Sequence, residues 1–268
     1  MPAASNHAHI RIVQSRQNAR VKELRAALRQ GEKTASGLIA LEGRHLVEEA
    51  LRSRLRIATL FVRSGNLGLL NQLRLQAGTE ILELPPDIFS SAVTTESPQP
   101  IAALAEARLF TLEDLLAKPH PLIIVSAGLQ DPGNLGAIVR SAEAFAASGI
   151  IALRGTVSIW NPKTLRASSG SAFRLPVVSA SGKDLFPALH SGGIRAIATA
   201  VDRATPAQQI DLAQPVALFI GNEGSGLSPE LASQCDDRIT IPCPGPVESL
   251  NAAIAASILL YEASRQRR

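Results

Sequence analysis

Alternating apolar runs and helix-period stretches predict an α/β protein in two parts: a small α/β domain over residues 1–105, a linker at 106–120, and a larger domain built on a mostly parallel sheet over 121–268. Three observations carry this. Short apolar runs alternate with amphipathic stretches along nearly the whole chain, as strand and helix do in α/β folds. The later runs, such as "LIIVSAG" and "VALFIG", lack polar alternation, as strands covered on both faces do. The chain has 268 residues and is 46% hydrophobic, enough to bury a sizeable core.

In the first part, residues 15–30, "SRQNARVKELRAALRQ", predict an amphipathic helix. Val21, Leu24 and Leu28 line one face, and Arg20, Lys22, Arg25 and Arg29 lie elsewhere. "SGLIALEG" predicts a strand, and "RHLVEEALRS" a helix with Leu46, Val47, Ala50 and Leu51 inward. "IATLFVRSG" reads as a strand ending in a glycine turn, "GLLNQLRLQAG" as a short helix and "EILELP" as a strand. "TTESPQPIAALAEA" gives the last loop and strand, and "RLFTLEDLLAKPHP" the connector.

In the second part, "LIIVSAG", "GIIALR", "RLPVVSA", "RAIATAV", "VALFIG" and "RITIPC" are strands. Between them "GAIVRSAEAFAAS", "KDLFPALHSG" and "SPELASQC" are helices, and "NPKTLRASSGSAF" mixes helix and loop. "SLNAAIAASILLYEASRQ" closes the series as a helix in which only Ser257 is polar between Ala252 and Leu260. Such a helix is expected to be buried nearly all round, within its own domain or against a second copy of the chain.

Charge and composition narrow the partners. Net charge is +4, but residues 1–63 hold 12 Lys/Arg against 5 Asp/Glu, a net of +7. A basic first quarter suits a polyanion, although solubility alone also accounts for it. Aromatics are only 3% of the chain, so phosphate and shape contacts are expected ahead of base stacking. No apolar run approaches the roughly 20 residues of a membrane span. Cys235 and Cys243 form neither a CxxC nor a metal pattern and suit a reducing, cytoplasmic setting. The histidines (His7, His9, His45, His120 and His190) have no zinc-like spacing.

Three loops carry the candidate chemistry. "QDPGNLGAI" follows a strand, yet it is not the G-x-G-x-x-G of a dinucleotide site, and no P-loop or nucleophile elbow occurs anywhere. Alone it reads as a turn with a helix start. "LFIGNEGSGLSPEL" places Glu223 among glycines after another strand, with Ser228 and Pro229 opening a helix. "ITIPCPGPVESLNAAIAA" repeats the arrangement with Glu248, Ser249 and Asn251. Ligands of open α/β sheets sit at the carboxyl ends of strands, so three such loops are best explained by one shared pocket.

Together these loops resemble the SpoU/TrmH branch of the SPOUT family, the ribose 2′-O RNA methyltransferases, with "KTLRASSGSAFRLPV" fitting between the first two. "ALEGRHLVEEAL" and "TTESPQPIAALA" resemble the substrate-binding domain that often precedes it, so the resemblance covers nearly the whole chain. It implies a trefoil knot in the second domain, a homodimer, and S-adenosylmethionine held in the knotted loops. It places Thr199, Gly221, Ile241 and Leu250 at the cofactor and makes Asn134, Arg140, Glu223, Ser249 and Asn251 the catalytic set. Pro100 and Pro246 stand where the family more often has glycine or a small residue.

The residue chemistry refines these roles. Guanidinium stays protonated, so Arg140 is expected to orient the ribose hydroxyl and stabilise alkoxide charge while the proton leaves through a phosphate or water. Asn134 suits holding Arg140 or the ribose, and Glu223 suits anchoring a loop amide or an arginine. Ser249 and Asn251 also suit helix capping. The glycines of "GNEGSG" would let backbone approach adenosine, with Ile241 and Leu250 as apolar walls. Lys163, Arg166 and Arg174 are candidates for phosphates near the target, and Arg16, Arg20, Lys22, Arg25 and Arg44 for wider RNA contact. No metal is required, because a sulfonium supplies the leaving group. Ribosomal RNA is the expected substrate; transfer RNA, or a non-catalytic RNA-binding role on the same fold, are the alternatives.

Overall fold

A computed structural model of the chain describes residues 10–267, so His7 and His9 lie outside the described residues. Contacts divide the chain into two units: residues 1–108 with 160–173, and residues 109–159 with 174–268.

The first unit is built on β1 (Ile10–Ile12), α1 (Ala19–Gln30), β2 (Leu38–Glu42), α2 (Arg44–Arg52), β3 (Ile57–Arg63), β4 (Glu80–Leu84), α3 (Pro86–Ala92) and β5 (Ile101–Glu106). Its sheet has the order β1-β4-β3-β5-β2. β1, β4 and β3 run parallel, with Leu60 beside Ile81, and β5 pairs antiparallel with both β3 and β2. α1 begins where Asn18 accepts from the amides of Arg20 and Val21, and ends at Gly31 in the left-handed region, φ 68°. Its buried face, Val21, Leu24, Ala27 and Leu28, joins Phe61, Leu82 and Phe89 in one core. Three elements differ from the sequence expectation. β1 is exposed throughout and only three residues long, so its Ile-Arg-Ile alternation is too brief to read as a strand. α3 starts on Pro86 at its first turn, where proline is tolerated but resembles a breaker. "GLLNQLRLQAG" forms only a 3-10 turn over Leu67–Gln72 with no buried residue, so no packing extends it.

The second unit opens with α4 (Leu112–Leu116), inside the stretch read as connector, and continues through β6 (Leu122–Ser126), α5 (Pro132–Ala144) and β7 (Gly149–Leu153). The chain then gives residues 160–173, with α6 (Pro162–Ser168), to the first unit. It resumes with β8 (Val177–Ala180), α7 (Gly182–Ser191), β9 (Arg195–Thr199), β10 (Thr205–Pro206), β11 (Val216–Ile220), α8 (Pro229–Ser233), β12 (Asp237–Thr240) and α9 (Ala252–Gln266). The sheet order is β10-β12-β9-β11-β6-β7-β8, and every pairing is parallel. β6 and β11, side by side at its centre, are buried at every residue. Because all strands run one way, the turns after β6, β9, β11 and β12 emerge at one edge.

α9 packs on α5: Ser141 Oγ and Ser257 Oγ lie 2.7 Å apart, and Phe145 meets Tyr261 edge-on at 5.8 Å. The expectation of burial all round fails in the single chain. Ala256, Leu259, Leu260 and Ala263 face inward, but Ile254 is 53% exposed and Tyr261 53%. With Ala137, Phe145, Ala253, Ser257 and Ile258 they line an open apolar groove. No helix among the described residues is long and apolar enough to cross a membrane.

Candidate active site

The three loops meet. Asp131 caps α5, its Oδ1 accepting from the Asn134 backbone amide at 2.7 Å, which fixes Asn134 in the first turn of the helix. Asn134 Nδ2 donates to Glu223 Oε1 at 3.0 Å, and Asn134 Oδ1 accepts from Asn251 Nδ2 at 2.9 Å. Asn251 is also the N-cap of α9, its Oδ1 accepting from the amides of Ala253 and Ile254. One hydrogen-bonded row, Asn251–Asn134–Glu223, therefore links all three loops through residues that the sequence separates by 89 and 117 positions.

Glu223 anchors loop amides. It accepts from the backbone N–H of Gln130 at 3.3 Å and of Asp131 at 3.1 Å, besides Asn134. Partial desolvation works against its charge, but the hydrogen bonds from Asn134 and these amides outweigh it, so its carboxyl titrates below the ordinary glutamate value. With its acceptor sites engaged as a charged group, Glu223 suits a structural anchor better than a general base.

Arg140 stands apart from this row. It lies six residues beyond Asn134 on α5, about 9 Å along the axis. It is exposed, and among the described residues its guanidinium makes no hydrogen bond or ion pair. It does not pair with Glu143, three residues on along the same helix. Glu143 instead receives Arg174, through Nε at 2.6 Å and Nη2 at 2.9 Å. Ser249 is exposed outside α9 and caps nothing, so of the two capping candidates only Asn251 serves.

The four cofactor candidates fall at the same sheet edge. Thr199 ends β9 and donates through Oγ1 to the Phe219 carbonyl at 2.8 Å. Gly221 follows β11; Ile241 follows β12; Leu250 precedes the α9 cap, the last two half-buried. A Cβ at Gly221 would sit 2.2 Å from the Gly226 carbonyl carbon and 2.3 Å from the Leu227 nitrogen. The loop itself thus demands this glycine, whatever approaches from outside. Residues 242–250 make no backbone–backbone hydrogen bond among the described residues. Their free N–H and C=O groups beside Ile241 and Leu250 fit a ligand with a flat apolar ring and a polar edge, such as adenosine.

Two organising residues escaped the sequence reading. Asn222 donates to the Gly128 carbonyl at 2.8 Å and accepts from the Gly224 amide at 2.9 Å. Asn before a glycine run is an Asx-turn signal that points to this role. Thr156, after β7, donates to the Ser126 carbonyl and accepts from the Gly128 amide. Nothing in its sequence context marks it.

The basic candidates divide. Arg16 pairs with Asp87 at 3.0 Å, Arg20 with Glu23 at 2.8 Å and Arg44 with Glu48 at 2.6 Å. Arg25 is turned inward, Nε donating to the Ser91 carbonyl at 2.8 Å and so tying α1 to α3. Arg174 holds Glu143. Lys22, Lys163 and Arg166 are exposed and make no ion pair among the described residues.

Known proteins resemble the chain along its length. A family model described as the SpoU rRNA Methylase family matches residues 121–261, and one described as the MRM3-like substrate binding domain matches 18–103. The 23S rRNA (guanosine(2553)-2'-O)-methyltransferase RlmP of Bacillus subtilis is 34% identical, over 93% of this chain and 97% of that one. The AdoMet-bound rRNA methyltransferase from Sinorhizobium meliloti superposes with a TM-score of 0.83 at 32% identity, over 96% of this chain and 98% of that one. The SpoU methyltransferase AviRb from Streptomyces viridochromogenes, in complex with AdoMet, gives 0.81 at 30% identity, over 94% and 98%. The chain therefore belongs to the SpoU rRNA methylase family.

Proposed function

We propose that the protein uses S-adenosylmethionine to methylate a ribose 2′-hydroxyl of RNA, ribosomal RNA in particular. The carrying observation is the Asn251–Asn134–Glu223 row, which gathers three loops at the carboxyl edge of a parallel sheet. Relatives named as 23S rRNA 2'-O-methyltransferases support the substrate.

S-adenosylmethionine supplies an electrophilic methyl group on a sulfonium, so the chain need only bring up the hydroxyl and manage its charge. Gly221, Ile241, Leu250 and the free backbone of 242–250 hold the adenosine end, with Thr199 at the floor. Asn134 and Asn251 fix where the first and third loops stand against the second, and Ser249 presents an exposed hydroxyl on the third. Arg140 brings a fixed positive charge with a planar fork, which aligns the ribose hydroxyl and stabilises its developing negative charge. The proton leaves through a neighbouring phosphate or water. Arg140→Lys keeps the charge and loses the fork, so turnover should fall by roughly 100-fold with cofactor affinity little changed.

The same reading includes a homodimer and a knotted chain. The apolar groove of Ile254, Ile258 and Tyr261 supports the first: a second copy covering it would also meet Arg140, one turn from Ala137 on α5. The return of the chain from β12, near one end of the sheet, to lay α9 on α5, which follows the central strand β6, supports the second. Lys22, Lys163 and Arg166 are the foremost RNA contacts, with the paired arginines behind them, and work on ribosomal RNA puts the protein in the cytoplasm.

Methyl transfer from labelled S-adenosylmethionine to rRNA lacking the modification, followed by nuclease mapping of the labelled ribose, tests the reading. Label on a 2′-oxygen of rRNA bears it out. Label on transfer RNA would redirect the substrate, and no label on any RNA would sink the assignment.

A further inference from the structure

The fate of Glu143 bears on whether Arg140 is available. Two cations compete for this one carboxylate. Arg140 lies three residues earlier on α5, so their Cβ atoms are about 5–6 Å apart on one helix face. Arg174 reaches it from the segment that leads into β8, just after residues 160–173. Arg174 sets Nε on one oxygen and Nη2 on the other, a two-point contact that a helical neighbour with acid and base in the unfavourable order does not match. Glu143 is thus occupied and Arg140 is left without a partner among the described residues.

We propose that Arg174 is a positioning residue that holds Glu143 off Arg140 and so keeps the α5 guanidinium available to the ribose hydroxyl. This rests on the methyltransferase reading. With Arg174 gone, Glu143 turns onto Arg140, occupies its fork and sets a negative charge beside the oxygen that must itself become negative. The role differs from a phosphate contact, which would weaken RNA binding, and from a mere staple on the 160–173 segment, which loss of either partner would break alike.

Steady-state kinetics with rRNA on Arg174→Ala, Glu143→Gln and the double variant separate these. Arg174→Ala should lower kcat by roughly three- to tenfold, as expected for an uncompensated charge at this range, with KM for RNA nearly unchanged. Glu143→Gln alone should stay within about twofold of the parent, and adding it to Arg174→Ala should restore kcat to the same range. A raised KM that Glu143→Gln does not correct overturns the proposal in favour of a phosphate contact. Unchanged kcat in Arg174→Ala, or a double variant no better than the single one, overturns it as well. A crystal structure of Arg174→Ala gives a readout that needs no turnover: Glu143 should lie within about 4 Å of the Arg140 guanidinium, and a carboxylate pointing elsewhere refutes the swing. If the parent methylates no RNA, the functional reading fails while that structure still decides the contact.

Discussion

The loops after β11 and β12 look alike in sequence, each glycine- or proline-rich and each leading into a helix, but they are built on opposite principles. The first closes on itself. Asn222 and Gly226 exchange two backbone hydrogen bonds of 2.9 Å, Asn222 Oδ1 gathers the amides of Gly224 and Ser225, and the turn folds over Gly221 so tightly that no side chain fits there. The second, over 242–250, makes no backbone–backbone hydrogen bond among the described residues, and Val247 is 58% exposed. One loop is shaped from within and serves as a frame; the other leaves its backbone groups unpaired and open to a partner. Polar content alone does not separate a frame from a binding surface; the partners of the backbone groups do.

Gly221→Ala should break the frame and give the largest effect. The added methyl would meet backbone, which cannot swing aside, so methyl transfer should fall by more than about tenfold. Tm should drop by roughly 4–8 °C, as about 2 kcal/mol would produce in a chain of this size. A normal Tm would mean that the turn yields and the contrast is false.

Glu223→Gln comes next. It removes the charge that gathers the amides of 130 and 131, and should cost about 1–2 kcal/mol in chemical denaturation. Because the folded carboxyl titrates low, its contribution is present above the ordinary carboxylate range, near pH 4, and is lost as pH falls through its folded value. The gap between parent and variant should therefore close on acidification. A gap that is constant with pH would show that the charge contributes nothing.

Hydrogen exchange sharpens the comparison. Adding S-adenosylmethionine should protect the amides of Cys243, Gly245 and 247–250 severalfold and barely alter 222–226. Equal protection of both loops would make both binding surfaces. Gly245→Ala, with nothing within 4 Å of the new methyl, should shift Tm by no more than about 1 °C. The smallest effect is chemical. Cys243 is exposed on the open loop, whereas burial, ahead of the nearby Asp236 charge, pushes the Cys235 thiol up to about 12. At pH 8 one thiol should alkylate quickly and the other hardly at all.

The parallel sheet and the helix start after Ser228 were legible because apolar runs, caps and prolines are local signals, whereas α5 begins at Pro132, a turn before the stretch read as its helix, and α9 at Ala252, three residues after the one read as its start. The convergence of the three loops was legible as a likeness to a family, and the row that joins them needed coordinates, since no local pattern pairs Asn134 with Glu223. Arg25 and Arg174 read as free cations because their partners, Ser91 and Glu143, are remote in sequence. The outward face of α9 was hidden by composition, because an apolar residue is the same letter inside a core or on an open groove.

Asn134 bonds one residue 89 positions downstream and another 117 positions downstream. Contacts of such sequence separation bear their loop-closure entropy before they return any stabilisation, which makes them slow to form. Recovery of catalysis after dilution from denaturant should consequently lag behind the fluorescence of Trp160, and no isolated fragment of this chain will display a fraction of its activity.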